Sequence, residues 1–289
     1  MSIPKIIHYC WFGGNPKSEK INRCMESWRK HLPDYEIIEW NESNCDIDGS
    51  KFASSAYKAK KWAFVADYFR FKALYDHGGI YLDTDMLLHK PLDDFLQYDA
   101  FFAMECFEWV SGGVVGAITS CEVIQQILNQ YLDILYNAND GTICHKITKV
   151  LIEDYSYMQT GDTQILENNV AVFSPNILII NVDDGKNYCE HLYDEKVSWL
   201  EDKNQLAEGE TWKYTVLQRY FYNLYRKTEE KGKDTRLARH MLAHDTKKML
   251  MRYGAKRMIW QIFKERFYDV TPSMVKRLYF KYKMKDQRS

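Results

Sequence analysis

The chain has 289 residues, of which 46% are hydrophobic and 15% aromatic, so it can bury a substantial core and global disorder is excluded. The formal net charge is −1, yet residues 236–289 carry 15 Lys and Arg against 4 Asp and Glu. The seven cysteines are scattered without a C-x-x-C pair, which argues against a disulfide framework or a zinc site and favours a reducing compartment.

Hydrophobic patterning predicts strands that alternate with helices, which is typical of an α/β sheet. In chain order, the predicted elements are a strand at 3–12, a helix at 17–32, a strand at 35–40, a helix at 55–76, strands at 80–88, 100–105 and 113–118, a helix at 121–136 and a strand at 169–174. The last 75 or so residues lack strand alternation. We therefore expect an α/β domain at 1–210 and a mainly helical, basic extension at 211–289.

The predicted helix at 55–76 is apolar around much of its circumference, yet it contains Asp67 and Arg70. An unpaired charge in such surroundings is costly. Residues at i and i+3 share a helix face, so the two side chains can pair with each other or with a ligand. The sequence leaves both interpretations open.

Asp83 and Asp85 follow a Gly78-Gly79 pair and are predicted in, or at the end of, an apolar strand. Alternate strand residues point the same way, and two carboxylates aimed together repel unless a cation lies between them. A hard divalent cation, Mn²⁺ or Mg²⁺, suits such a pair and neutralises the charge on a leaving diphosphate. The ends of strands in α/β sheets are also where ligand sites collect.

A strand followed by D-x-D also opens the nucleophile motif of haloacid dehalogenase-type phosphatases, in which Gly161-Asp162 together with Asp183-Asp184 would supply a later acidic motif. Against this, Asp85 is followed by Met86 rather than by the usual Thr or Val. A phosphoaspartate trapped at Asp83 would favour the phosphatase. A non-catalytic nucleotide-sugar-binding protein is the second alternative, and nucleotide binding without turnover would favour it.

Asp67-x-x-Arg70 followed by Gly78-Gly79-Ile80-Tyr81-Leu82-Asp83-Thr84-Asp85 resembles the D-x-x-R and GG-x-Y-x-D-x-D signature of glycosyltransferase family 32. That family includes yeast-type initiating mannosyltransferases and bacterial capsule enzymes, and it is similar to the glucosyltransferase domains of large glucosylating toxins. Further similar segments occur in the same order, namely residues 3–14, Ser27-Trp28, Pro33-Asp34-Tyr35 and Trp40-Asn41.

The resemblance implies a GT-A-type nucleotide-binding sandwich with a mixed central sheet. It further implies metal-dependent, retaining transfer of a hexose or N-acetylhexosamine to a glycan acceptor in surface polysaccharide synthesis. A UDP-sugar is the favoured donor and GDP-mannose the second.

The resemblance also implies roles for single residues. Trp11 would stack on the nucleotide base, and Asp67 would hydrogen-bond hydroxyls of the donor sugar. Arg70 would lie beside the sugar and diphosphate, and Tyr81 would hold the nucleotide or the shape of the site. The residues implied to carry the reaction are Asp67, Arg70, Asp83 and Asp85.

The resemblance also implies that residues late in the chain contact the cation and the diphosphate. Asp83 would face the ribose and sugar, Asp85 would bind the cation directly, and His191 would complete its shell. Ser198 and Trp199 would donate hydrogen bonds to the diphosphate from a loop that closes around 185–200. The spacing from His191 to Ser198 is longer than the family pattern, which puts this part in doubt.

Acceptor contacts are expected near a glycine-containing stretch at 111–117, which the family often places beside the donor or acceptor. Glu108 and Trp109 immediately precede it, and aromatic rings suit the apolar faces of sugars. Asp162, at a position where the family commonly has Pro, would be an acceptor-side carboxylate, with Gln164 as a polar partner. An ordinary turn remains the alternative for 111–117, and a capped turn leading into a helix for 160–164.

The segment 236–289 interleaves its positive charges with Tyr, Phe, Trp and Met. This pattern favours an anionic membrane surface over nucleic acid, although a solvated basic helical face explains it equally well. No cleavable signal and no run of about 20 apolar residues is evident. We therefore expect a cytoplasmic protein, peripheral on the inner face of the plasma membrane, whose acceptor is a lipid-linked glycan.

Overall fold

The computed structural model describes residues 2–105, 109–137, 140–181 and 185–192. Its strands are β1 (Ile6–Cys10), β2 (Glu36–Trp40), β3 (Gly79–Leu82), β4 (Met86–Leu88), β5 (Ala100–Met104), β6 (Val110–Ala117), β7 (Gln164–Ile165), β8 (Val170–Phe173) and β9 (Cys189–His191). Its helices are α1 (Glu19–His31), α2 (Lys51–Lys58), α3 (Trp62–His77), α4 (Glu122–Asn129), α5 (Ile143–Tyr155) and α6 (Pro175–Leu178).

Seven strands form one sheet in the order β2-β1-β3-β6-β5-β8-β7, and β4 pairs with β9 in a separate two-stranded sheet. β1 runs parallel to β2 and β3, whereas β6 is antiparallel to both β3 and β5. This architecture confirms the predicted α/β fold with a mixed central sheet. The parallel strands β1, β2 and β3 end at one edge, where ligand sites of such sheets form.

Side chains of the central sheet enter two hydrophobic cores, one on each face. Along β3, Tyr81 enters the first core, whereas Ile80 and Leu82 enter the second, as the alternation of a strand requires. Helix α3 covers the first core and helix α1 covers the second. Both faces of β3, which leads into the D-x-D segment, are therefore buried.

Helix α1 forms because Ser18 caps its first turn and an apolar stripe recurs at helical spacing. Trp28 on that stripe is completely buried, and its indole N–H donates to the Met86 carbonyl at 2.7 Å. This bond ties α1 to β4 immediately after the D-x-D segment.

The single helix predicted at 55–76 is two helices, α2 and α3. Lys60 lies in the left-handed region at φ 56°, which follows the end of α2 and precedes the start of the separate helix α3 at Trp62. Periodicity did not reveal the break because both helices bury apolar side chains in the same core.

The single strand predicted at 80–88 is likewise interrupted. β3 ends at Leu82, and the Met86 N–H donates to the Asp83 carbonyl at 2.9 Å, which closes a turn before β4. Asp83 and Asp85 therefore lie in a turn rather than on alternate positions of a strand. The predicted helix at 121–136 is also shorter, since α4 ends at Asn129, and α5 was not predicted.

The predicted domain boundary at 210, the extension 211–289 and the basic segment 236–289 all lie beyond the last described residue, Leu192. Within the described ranges, no helix combines the length and apolar character needed to cross a bilayer.

Candidate active site

The D-x-D turn is fixed to the strands on which it is built. The Asp83 N–H donates to the Gly113 carbonyl of β6 at 2.8 Å. The Tyr81 hydroxyl, two residues earlier on β3, donates to Asp83 Oδ1 at 3.1 Å. The first aspartate of the motif is thus held by both its own strand and the neighbouring one.

Asp83, Asp85 and His191 converge at this turn, and one possible ligand atom from each lies within 4.8 Å of the others. His191 arrives on β9, where it pairs with Met86 of β4, and its Nε2 lies 3.1 Å from Asp85 Oδ1. The Leu192 N–H donates to the Asp85 carbonyl at 3.0 Å, which anchors the end of β9. Two carboxylates and an imidazole fit a divalent cation such as Mn²⁺ or Mg²⁺.

Glu105, which the sequence did not single out, lies behind His191. Its Oε2 is 3.8 Å from His191 Nδ1 and accepts a hydrogen bond from the Ser111 hydroxyl at 2.6 Å. Burial lowers the pKa of His191, but the carboxylates of Asp85 and Glu105 outweigh it and raise the pKa to about 10. A cation that binds here has to displace this proton.

Arg70 connects three elements at the site. Its Nη2 lies 3.0 Å from Asp67 Oδ1 on α3, and its Nη1 lies 3.2 Å from Asp83 Oδ1. It also donates to the Gly112 carbonyl of β6, and its guanidinium carbon lies 4.5 Å from the centre of the Tyr81 ring. The i, i+3 pair foreseen on this helix therefore extends to the D-x-D turn and is more than an intrahelical ion pair.

Burial dominates the electrostatics of this pair. It raises the pKa of Asp67 to about 7, although the neighbouring Arg70 lowers it. Burial also acts against the charge of Arg70, but the Asp83 carboxylate more than compensates, so the pKa of Arg70 stays above its ordinary value. Near neutral pH, Asp67 can donate or accept a hydrogen bond, which suits contact with a hydroxyl group.

Trp11 follows β1 at the edge of the sheet where the D-x-D turn lies, and its side chain is half-buried. Its indole N–H donates to the Asn15 carbonyl at 2.7 Å, and Lys17 Nζ lies 5.2 Å from its ring centre. Gly13 in the same loop has φ 87° and touches Trp62, since an added Cβ would approach that ring to 2.6 Å. The loop therefore fixes the Trp11 ring beside the end of β1.

Trp109 lies on the same strand connection as Glu105, because its carbonyl accepts from the Glu105 N–H at 2.8 Å. Its ring centre is 4.1 Å from that of His145, in the first turn of α5. Trp109 is therefore packed against a helix near the candidate cation site. A contact with an acceptor sugar stays a prediction.

Two further predicted residues, Asp162 and Gln164, are not brought to this cluster. Asp162 is exposed and precedes β7, which β6, β5 and β8 separate from β3. The Gln164 amide donates to a carbonyl within its own loop, and a short strand follows this turn rather than a helix. Glu108, Ser198 and Trp199 lie outside the described residues.

The segment that contains the D-x-D turn matches a known family model. Residues 18–102 match the family model described as a glycosyltransferase sugar-binding region containing a DXD motif. The match includes Asp67, Arg70, Asp83 and Asp85, but not Trp11 or His191. The predicted resemblance to glycosyltransferases with a DXD motif is confirmed for this segment.

Several curated proteins are similar to this chain. Inositol phosphoceramide mannosyltransferase 3 of Schizosaccharomyces pombe is 29% identical over 144 residues, which are 47% of this chain and 39% of that protein. Uncharacterized glycosyltransferase L373 of Acanthamoeba polyphaga mimivirus is 39% identical over 141 residues, 45% of this chain and 56% of that one. Subversion of eukaryotic traffic protein A of Legionella pneumophila is 21% identical over 238 residues, which are 72% of this chain and 36% of that protein. The chain thus spans less than two thirds of the length of each of these relatives.

Solved structures with similarity to the chain include the PaToxG glycosyltransferase, at a TM-score of 0.42 and 16% identity over 53% of this chain and 69% of that one. A glycosyltransferase involved in the glycosylation of the major capsid of PBCV-1 matches at a TM-score of 0.39 and 12% identity, over 68% of this chain and 97% of that one.

Proposed function

We propose that the chain is a metal-dependent glycosyltransferase that moves a hexose or N-acetylhexosamine from a nucleotide sugar to a glycan acceptor. The observation that carries the proposal is the convergence of Asp83, Asp85 and His191 at the end of β3. The buried Asp67–Arg70 pair beside them, inside the family-matched segment, supports it.

Asp83, Asp85 and His191 would hold Mn²⁺ or Mg²⁺. When bound, such a cation would neutralise the charge that develops on the leaving diphosphate. Arg70 adds a fixed positive charge beside it, which the protein orients before the reaction and need not reorganise. Its contacts to Asp67, Asp83 and Gly112 keep the guanidinium in place.

Donor binding uses groups of different chemistry on neighbouring elements. Trp11 stacks on the base, and Asp67 bonds hydroxyls of the donor sugar. Tyr81 keeps Asp83 in position through its hydroxyl. Ser198 and Trp199 would donate to the diphosphate and exclude water, a proposal about residues beyond the described part of the chain.

We favour attack by the acceptor hydroxyl on the face from which the diphosphate departs, which retains the anomeric configuration. Double displacement would require a carboxylate nucleophile. Among the described residues around the site, Asp67 and Asp83 contact Arg70, and Glu105 faces His191 and Ser111. These contacts stabilise the charges and reduce their nucleophilicity.

A UDP-sugar is the favoured donor, and GDP-mannose is second because one relative is named a mannosyltransferase. We propose a lipid-linked glycan of surface polysaccharide synthesis as the acceptor, reached at the inner face of the plasma membrane through residues 236–289. Neither nucleic acid nor a phosphate monoester is proposed as a substrate.

The test is a thermal-shift and calorimetry panel of UDP- and GDP-sugars with and without Mn²⁺. A ligand present at about 100 times its Kd should stabilise the fold by roughly 2.7 kcal/mol. We expect one nucleotide sugar to bind only with the cation and Asp85→Asn to abolish that binding. Asp133→Asn is the matched control, since Asp133 is an exposed carboxylate paired with Lys51.

Product analysis then separates transfer from binding alone. Release of nucleoside diphosphate that depends on Mn²⁺ and on Asp85 would support the transferase. Binding without turnover on any acceptor would favour a sugar-nucleotide-binding protein, and failure to bind any nucleotide sugar would overturn the site assignment.

A further inference from the structure

The two nitrogens of His191 face different carboxylates. Nε2 lies 3.1 Å from Asp85 Oδ1, on the side of the candidate cation site, whereas Nδ1 lies 3.8 Å from Glu105 Oε2. The ring thus stands between the D-x-D turn and a further acidic side chain that the family-matched segment, residues 18–102, does not include.

Glu105 is held independently of His191. Its backbone N–H donates to the Trp109 carbonyl at 2.8 Å, where β5 turns back towards β6. Its Oε2 accepts from the hydroxyl of Ser111, a residue only 1% exposed, at 2.6 Å. The carboxylate is therefore a fixed reference point against which a neighbouring ring can be oriented.

A histidine that binds a cation through one nitrogen needs its other N–H directed at an acceptor, because that contact fixes both the tautomer and the ring orientation. We propose that Glu105 is a positioning residue that accepts a hydrogen bond from His191 Nδ1 and aims the Nε2 lone pair at the cation held by Asp83 and Asp85. This inference rests on the proposed function.

The present separation of 3.8 Å is longer than a hydrogen bond. A shift of the ring by about 0.9 Å towards Glu105 would bring the two atoms to about 2.9 Å, the usual length of such a bond. The fixed position of Glu105 means that His191, at the end of the short strand β9, makes this adjustment.

The experiment measures Mn²⁺ affinity of the full chain, with and without UDP, by electron paramagnetic resonance of free Mn²⁺. The variants are Glu105→Ala, Glu105→Gln, His191→Ala and the double variant Glu105→Ala/His191→Ala. We expect Glu105→Ala to weaken Mn²⁺ binding about 10- to 100-fold, the range typical for removal of such a supporting residue. Glu105→Gln, which keeps an acceptor oxygen, should weaken it less.

The double variant separates positioning from a general effect of negative charge. If Glu105 acts through His191, its removal should have little further effect, within about threefold, once His191 is Ala. An equal loss in both backgrounds, or unchanged affinity in Glu105→Ala, would overturn the inference. Thermal melts of each variant without Mn²⁺ identify any that fail to fold, in which case Glu105→Gln decides.

Glu190→Gln is the matched control, because Glu190 precedes His191 on β9 and its Oε1 lies 3.7 Å from His89 Nε2. It removes the same charge next to His191 and should leave Mn²⁺ affinity unchanged. If the wild-type chain binds no Mn²⁺, the proposed function fails together with this inference. If it binds, and Asp85→Asn abolishes binding whereas Glu105→Ala does not weaken it, this inference alone fails.

Discussion

At the scale of single residues, the buried charges of the site depend on one another. The Arg70 side chain is 5% exposed and that of Asp67 is 11% exposed, and Arg70 also contacts Asp83. A buried pair contributes little net stability, but removal of one partner leaves the other charge uncompensated. The arrangement therefore places an energetic penalty on any change at Arg70 alone.

Replacement of Arg70 by Met should lower the free energy of unfolding by about 3–5 kcal/mol, because Asp67 loses its partner in a poorly solvated position. Urea denaturation measures the change. Lys72→Met is the control on the same helix, since the exposed Lys72–Asp76 pair should be worth less than about 1 kcal/mol. Equal losses in the two variants would show that the Arg70 pair is solvated.

His8 is completely buried on β1 and uses both ring nitrogens. Its Nδ1 accepts from the Trp40 indole N–H at 3.1 Å, so Nε2 carries the proton that is directed at the Gly78 carbonyl, 2.7 Å away. Only the neutral ring can make both bonds. Burial lowers the pKa of His8 to about 4, from an ordinary value of 6.5.

Because the unfolded chain binds this proton more readily, stability from His8 is present above about pH 6.5 and is lost as the pH falls towards 4. At about pH 4.5 the loss should approach 2.5 kcal/mol relative to pH 7.5. His8→Gln, which keeps a donor and an acceptor, should remove that part of the pH dependence. Urea denaturation of both proteins at the two pH values is the measurement, and identical pH dependence would contradict the prediction.

The sequence indicated the site residues that lie close to one another along the chain. Asp83, Asp85, Asp67 and Arg70 lie in one stretch with recognisable intervals, and His191 followed from family resemblance. Glu105 was missed because its contact to His191 joins the end of β5 to the distant β9. No interval along the chain encodes that proximity, and the roles of all these residues stay predictions.

At the scale of elements, strand β6 carries both the core and the site. A Cβ added at Gly113 would lie 3.2 Å from Asp83 Oδ2 and 3.4 Å from His191 Cε1. A Cβ added at Gly116, three residues along, would lie 2.1 Å from the Phe101 ring. Replacement of Gly by Ala therefore tests cation binding at position 113 and core packing at position 116.

Gly113→Ala should weaken Mn²⁺ binding, because its methyl group narrows the space between Asp83 and His191, while stability changes little. Gly116→Ala should lower the free energy of unfolding by about 1–3 kcal/mol through overpacking against Phe101. Calorimetric Mn²⁺ titration and urea denaturation of both variants test the contrast. Loss of stability in Gly113→Ala without loss of affinity would contradict it.

Element prediction succeeded where one face of the element is buried and failed where the chain turns inside an apolar run. The stripe of α1 and the strands β1 and β2 lie close to their predicted positions. The breaks at Lys60 and at Asp83–Asp85 were missed because apolar residues continue on both sides. Those breaks depend on a left-handed residue and on a hydrogen bond from Met86, neither of which periodicity reports.

At the scale of the whole molecule, the charge is separated along the chain. Residues 236–289 hold 15 basic and 4 acidic residues in a protein whose net charge is −1. The rest of the chain is therefore acidic. An anionic membrane would attract the former and repel the latter, which would orient a bound enzyme.

Replacement of three basic residues in this segment should weaken binding to phosphatidylserine-containing vesicles about a hundredfold, since each contributes about 1 kcal/mol near such a surface. The substituted residues are Lys281, Lys283 and Lys285, each changed to Gln. The control replaces three exposed lysines of the described region, Lys58, Lys60 and Lys149. Vesicle co-sedimentation is the assay, and no binding by the unaltered chain would indicate a solvated basic face.

The pairing of β9 with β4 also sets an order of assembly. All seven strands of the central sheet end by Phe173, whereas His191 meets Met86 across a loop of about 100 residues. Ribosomal synthesis therefore delivers both aspartates and the complete sheet before the third candidate ligand emerges. A chain made only as far as Phe173 would hold an open pair of carboxylates, and cation affinity would distinguish it from a chain in which β9 has paired with β4.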